Sequence, residues 1–211
     1  MSEFDPRTEG ARADLCRFLS ACYYEPGPEF VEEGLFESML EAATCLAPEL
    51  AERTRRLGEA FAAQDMQTLL IDYTRLFLGP MQILAKPYGS FWLSGESKLM
   101  QDSSMDVLEL YEQGGFEIDE AFHELPDHVA VELEFLYLLI FKHNQARAEH
   151  APDASAALAA LRERFLATHL GVWIEPFTAA VVAGAQTAFY RELAELSRAF
   201  VQAQTTPPTA H

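Results

Sequence analysis

Residues 124–141 read Glu-Leu-Pro-Asp-His-Val-Ala-Val-Glu-Leu-Glu-Phe-Leu-Tyr-Leu-Leu-Ile-Phe. From Val129 onward only Glu132 and Glu134 break an otherwise apolar run. The run is too long for an ordinary strand and holds no Gly or Pro, so it predicts a helix. A helix apolar almost all round belongs in the middle of a bundle. Pro126 sits where a first-turn proline belongs, and Asp127 beside it suits the positive end of the helix dipole.

The rest of the chain agrees with a helical bundle. Leu15, Phe18, Leu19, Cys22 and Tyr23 recur at three- and four-residue steps before Glu25-Pro26-Gly27-Pro28. Leu35, Met39 and Leu40 predict a short helix, and Pro48 opens the next, through Leu50, Leu57 and Phe61. Asp65 is the expected cap of a helix carrying Leu69, Leu70, Tyr73, Leu76 and Phe77, stopped by Gly79-Pro80. Ser103 or Ser104 is the expected cap of a helix ending at Gly114-Gly115. Helices are also expected over Ala154–Thr168, near Phe177–Ala183 and over Ala188–Gln202, with Glu175 and Pro176 interrupting the apolar segment after Leu170. No β-branched alternation bounded by hairpin turns is found. The fold class is all-α, with one domain over 1–204 and a frayed tail over 205–211.

Between Gly79 and Ser103 the sequence reads as irregular. It holds Pro80, Pro87, Gly89 and Gly95 together with Tyr88, Phe91 and Trp92. Loops this long are usually functional or disordered, and three large aromatics argue against disorder. Either the aromatics pin the loop down or they form a binding surface.

Composition limits the function. Fifteen Lys+Arg against thirty-three Asp+Glu give a net charge of −18. That argues against nucleic acid and anionic membrane as partners and leaves open a basic partner or simple solubility. Cys16, Cys22 and Cys45 form no Cys-x-x-Cys pair, which points to a reducing compartment. The acidic N-terminus has no apolar signal segment and no stretch approaches membrane-spanning length, so a soluble cytoplasmic protein is expected.

Motifs for catalysis are scarce. His128 and Glu132 are four residues apart and would share a helix face, but Glu-x-x-His and His-Glu-x-x-His are absent, so no metal is expected. There is no nucleophile elbow, no phosphate-binding glycine loop and no cofactor motif. The cluster Glu124-Leu125-Pro126-Asp127-His128 remains. It reads either as local capping of the helix or as a polar rim, with acids to receive arginine, on an apolar groove.

Taken together, these segments resemble the TorD/DmsD/NarJ family of cytoplasmic chaperones that mature molybdenum-containing redox enzymes, nearest the DmsD/TorD branch. The resemblance is carried by Tyr73-Thr74-Arg75-Leu76-Phe77-Leu78-Gly79-Pro80 and Pro87-Tyr88-Gly89-Ser90-Phe91-Trp92-Leu93. It continues through Glu124-Leu125-Pro126-Asp127-His128 with Glu132-Leu133-Glu134, and Phe165 with His169-Leu170 and Trp173. Phe18-Leu19-Ser20, Tyr23-Tyr24 and Pro26 fit the family's first helix. It implies about ten helices, no catalysis and no cofactor. The implied partners are a twin-arginine leader peptide and the apo-form of a molybdoenzyme catalytic subunit, met as monomer or homodimer. By position, the leader-binding residues it implies are Tyr73, Leu76, Phe77, Pro87, Tyr88, Trp92, Glu124, Asp127 and His128. Tyr stands at 73 and 88, where a Trp is often found in the DmsD pattern. Leu76 and Phe77 face either the groove or the core, which their spacing leaves open. The alternatives are a metal-dependent or hydrolytic enzyme in a helical bundle, and a subunit of a larger helical complex.

Overall fold

A computed structural model describes residues 5–79, 82–93, 100–118 and 124–205, without the side chains of 100–103. Among these, eleven α-helices form one bundle. They are α1 (Pro6–Ala21), α2 (Glu29–Glu32), α3 (Leu35–Leu46), α4 (Pro48–Ala62), α5 (Met66–Tyr73), α6 (Gly89–Leu93), α7 (Met100–Gly114), α8 (Val129–Ala148), α9 (Pro152–Thr168), α10 (Leu170–Gly184) and α11 (Ala188–Thr205). No named strand occurs among the described residues. The all-α, single-domain expectation holds, with one helix more than the ten expected.

Several helix ends obey local rules. Asp5 caps α1 by accepting the Arg7 and Thr8 amides, with Pro6 in the first turn. Asp65 caps α5 through the Thr68 amide at 2.9 Å. Pro48 and Pro152 open α4 and α9. α5 runs into a π-helical turn, Thr74–Leu78, which ends at Gly79 with φ +40°. A Cβ at Gly79 would stand 2.5 Å from the Gln82 carbonyl oxygen, so the reversal there needs glycine.

α8 is the centre of the bundle. It packs mainly on α1 and α9, with smaller contacts to α7 and α10, while α3, α4 and α11 pack on α1, on α10 and on one another. Its first turns are buried nearly all round, from Val129 to Ile140, and Phe141 is 49% exposed. The predicted central helix is therefore right for its first half, and its second half reaches the surface.

Four local expectations need correction. α8 begins at Val129 and His128 is its cap, so Pro126 and Asp127 lie outside the helix. The Leu125 carbonyl accepts the His128 amide and the Pro126 carbonyl accepts the Tyr111 hydroxyl, which makes a turn of residues 125–128. α7 starts at Met100, so Ser103 and Ser104 stand inside the helix and not at its cap position. α10 begins at Leu170 and runs through Pro176 instead of beginning near Phe177. The carbonyl that proline leaves without a donor is Val172's, on a residue 50% exposed, where water can serve it. Finally, the segment read as irregular holds helix α6, and α7 begins within it; residues 80–81 and 94–99 lie outside the described part. The expected tail lies outside it from residue 206 onward, and Thr205 closes α11.

Candidate functional site

The site is built where the chain after the π-helical turn meets the start of α8. The Leu76 carbonyl accepts the Ala85 amide at 2.9 Å, which brings the chain back along the turn that precedes it. The chain then lies against residues 127–129. Val129 gives its amide to the Pro87 carbonyl and Gly89 gives its own to the Asp127 carbonyl, both at 2.8 Å. The Asp127 carboxylate accepts the Ser90 amide at 2.8 Å. Asp127 thus holds the loop and the turn together, while His128 caps α8 through Nδ1, which accepts the Ala130 amide at 3.2 Å.

Tyr88, Trp92 and Glu124 are half-buried at the surface of this junction. The Tyr88 hydroxyl donates to Glu124 Oε2 at 2.8 Å, and its ring stands edge-on to His128 at 5.4 Å. Trp92 gives its indole N–H to the Lys86 carbonyl and packs edge-to-face on Phe91. Tyr73 is nearly buried; burial, then the charges of Glu124 and Glu25, push its hydroxyl up to about 12. Pro87, Asp127 and His128 lie just beneath, out of solvent. Burial pushes the His128 imidazole down to about 4, against the opposing pull of Glu124 and Asp127.

Leu76 and Phe77 face the core. Phe77 meets Tyr23, Phe177 and Tyr190 at centroid distances of 5.6–6.2 Å. Of the nine residues singled out from the sequence, seven gather at this junction and these two support it from within.

Three further residues belong to the rim. Tyr24 stacks near His128 and gives its hydroxyl to Glu134 Oε1 at 2.9 Å, where Ser20 also reaches at 3.3 Å. Glu25 is exposed beside Tyr24. Tyr24, Glu25 and Glu134 lie on α8 and in the turn after α1. Their sequence signal was Tyr23-Tyr24-Glu25-Pro26 with Glu132-Leu133-Glu134, whose facing partners only the tertiary contact supplies. Two Tyr–Glu pairs, Tyr88–Glu124 and Tyr24–Glu134, therefore flank the start of α8. Burial first, then the paired glutamate, pushes both tyrosine hydroxyls up, so both stay neutral donors. Each pair occupies one glutamate oxygen and leaves the other able to accept.

Exposed apolar side chains lie near the same chain segments. Leu78, Leu84, Phe91 and Leu125 are each about half exposed. No set of three or more His, Cys, Asp or Glu side chains is placed to hold a metal ion among the described residues. No single helix among them is long and apolar enough to cross a membrane.

The family model for the nitrate reductase delta subunit matches residues 43–179, well over half the chain. The chain belongs to this family. It is 28% identical over 199 residues to the chaperone protein TorD of Vibrio cholerae strain O395, covering 90% of this chain and 89% of that one. It is 33% identical over 165 residues to the TorD chaperone of Photobacterium profundum, covering 74% of each. To the Tat proofreading chaperone DmsD of Salmonella typhimurium it is 28% identical over 163 residues, covering 76% of this chain and 73% of that one. The chain is accordingly a maturation chaperone of the TorD/DmsD/NarJ family and not an enzyme, and the enzyme alternative falls away.

Proposed function

We propose that the chain binds the twin-arginine leader of a molybdenum-containing oxidoreductase at the junction of the 82–93 segment with α8. It would hold that subunit in the cytoplasm until its cofactor is loaded, acting as monomer or homodimer. The observation that carries this is the pair of half-buried Tyr–Glu contacts with spare carboxylate oxygens beside exposed apolar side chains. A leader offers two arginines followed by an apolar segment. Guanidinium groups suit carboxylates whose second oxygen is already oriented by a hydrogen bond. The net charge of −18 draws a basic peptide in and speeds its encounter.

Tyr88, Trp92, Glu124, Tyr24, Glu25 and Glu134 are the residues assigned to direct contact, with Tyr73 at the edge. Pro87, Asp127 and His128 shape the surface from below, and Leu76 and Phe77 hold the turn that carries it. Exposed ion pairs contribute about 0–1 kcal/mol each, whereas burying one Leu or Phe contributes about 1.5–3 kcal/mol. The apolar part of the leader therefore dominates the final affinity.

Calorimetric titration with synthetic leader peptides tests this. Glu124→Gln should weaken binding by roughly tenfold and Trp92→Ala by more. Replacing two apolar leader residues by aspartate should nearly abolish binding, while replacing both arginines by lysine should weaken it modestly. Unchanged affinity in both Glu124→Gln and Trp92→Ala would place the leader elsewhere. Leu76→Asp and Phe77→Asp are unsuitable as binding tests, because both side chains are core.

A further inference from the structure

Beneath the rim, the two acids that touch the 87–93 segment are incompletely paired. Glu132 is fully buried and Asp127 is 1% exposed. Glu132 Oε2 accepts the Trp173 indole N–H at 3.0 Å, and Asp127 Oδ2 accepts the Ser90 amide. Glu132 Oε1 and Asp127 Oδ1 have no hydrogen-bond partner among the described residues, and neither does the Ser90 hydroxyl. Buried polar atoms are paired in the great majority of cases, so such a group demands a reason. Gly89 brings the segment onto these atoms. A Cβ there would stand 2.9 Å from Glu132 Oε1 and 2.9 Å from Trp173 Nε1.

No cation balances the two acids. Neither makes an ion pair among the described residues, and the imidazoles near Asp127 are neutral. Burial lowers both His128 and His169, and outweighs the charges of Glu124 and Asp127 on His128 and of Asp106 and Asp127 on His169. The groups facing the pair from other elements are Tyr111 on α7, Trp173 on α10 and His169 at the cap of α10. All are neutral. Two ionised carboxylates buried together without a counter-charge are strongly disfavoured, and binding one proton removes most of that cost.

We propose that Glu132 and Asp127 hold one proton between them, carried on Glu132, and that this proton positions the Pro87–Leu93 segment, with Tyr88 and Trp92, on the bundle. The protonated Glu132 is neutral, so the segment can lie against it through Gly89 without covering an uncompensated charge. Burial, then the charge of Asp127, pushes the Glu132 carboxyl well above the usual range, with only the Trp173 N–H opposing. Glu132 is a positioning residue here: it touches the segment that carries the rim and not the rim itself. The latch is a property of the segment, whatever the rim binds.

Hydrogen exchange of the Gly89, Ser90 and Val129 amides reads the latch directly, because all three close it. Opening the segment lets Glu132 ionise. The opening equilibrium should then rise by up to about tenfold per pH unit above the ordinary carboxylate range, until the closed segment itself releases the proton, beyond the intrinsic base catalysis of exchange. Glu132→Gln keeps the shape and stays neutral, so it should remove that pH dependence and retain protection at the alkaline end. Protection that follows the same pH dependence in wild type and Glu132→Gln, or that is lost at every pH in Glu132→Gln, overturns the proposal. A measurement on the unaltered protein stands beside it. In a carboxyl 13C titration of glutamate-labelled protein, one resonance should stay in its protonated position at about pH 7. Titration of every glutamate in the ordinary range near pH 4 overturns the proposal equally.

Discussion

Two buried acids, Asp72 on α5 and Asp127 before α8, are each 1% exposed, yet their surroundings differ in kind. Asp72 accepts from Arg75 Nη1, from the Gln186 and Thr187 amides and from the Thr187 hydroxyl, at 2.7–3.2 Å. It ties the start of the π-helical turn to the turn between α10 and α11 with both oxygens engaged. Asp127 has one donor on one oxygen and none on the other. Glu132 repeats the pattern. A saturated carboxylate is a staple whose work is done in the folded chain. An unsaturated one beside a surface loop keeps a capacity in reserve, here for a proton.

The largest expected effect breaks the staple. Asp72→Ala strands four donors, one of them charged, and should cost about 3–5 kcal/mol. Urea denaturation should show the midpoint falling without a change in slope. A loss under about 1 kcal/mol would mean the clamp is dispensable.

Gly89→Ala attacks the other region. The new methyl would press on Glu132 and Trp173, both buried and neither free to swing away. A cost of about 1–3 kcal/mol is expected, with early exchange of the Ser90 amide and little change at Gln186 and Thr187. Equal disturbance of both regions would show that they are one cooperative unit rather than two.

The acid limb comes next. His128 sits at about 4 in the folded chain against about 6.5 unfolded, so the unfolded state binds the extra proton between those values. Stability from this group is full above about pH 6.5 and falls as pH drops toward 4. Between about pH 6.5 and pH 5 the loss is of the order of 2 kcal/mol. His128→Asn, which keeps a capping side chain, should flatten that limb. An unchanged acid limb would assign it to His143 or His169, which burial also lowers.

The smallest effect on stability belongs to the rim. Tyr88→Phe removes one half-exposed hydrogen bond to Glu124 and should cost under about 1 kcal/mol in denaturation. Its effect should appear instead as weaker leader binding in calorimetry, with the thermal midpoint nearly unmoved. The reverse pattern would make Tyr88 a structural residue like Asp72.

Much of this was legible along the chain because its causes are local. The cap at Asp65, the opening at Pro48 and the stop at Gly79 follow from backbone rules acting over a few residues. The apolar run after His128 could only be buried. The failures share one cause as well. Pro126-Asp127 looks like a helix opening, but the Asp127 side chain is drawn to Ser90, thirty-seven positions away. Pro176 looks like a break, but its helix turns that face to water.

The sequence by itself determined the all-helical class, several helix ends, the burial of the start of α8 and the net charge of −18. Each rests on composition, periodicity or capping, which act between near neighbours. Only the tertiary structure decided that Leu76 and Phe77 point into the core, that Tyr24 and Glu134 complete the rim, and that Glu132 and Asp127 lie unneutralised beneath Gly89. Those depend on which helices come to face one another, and the free energy of burying a carboxyl is set by the groups that arrive beside it from distant parts of the chain.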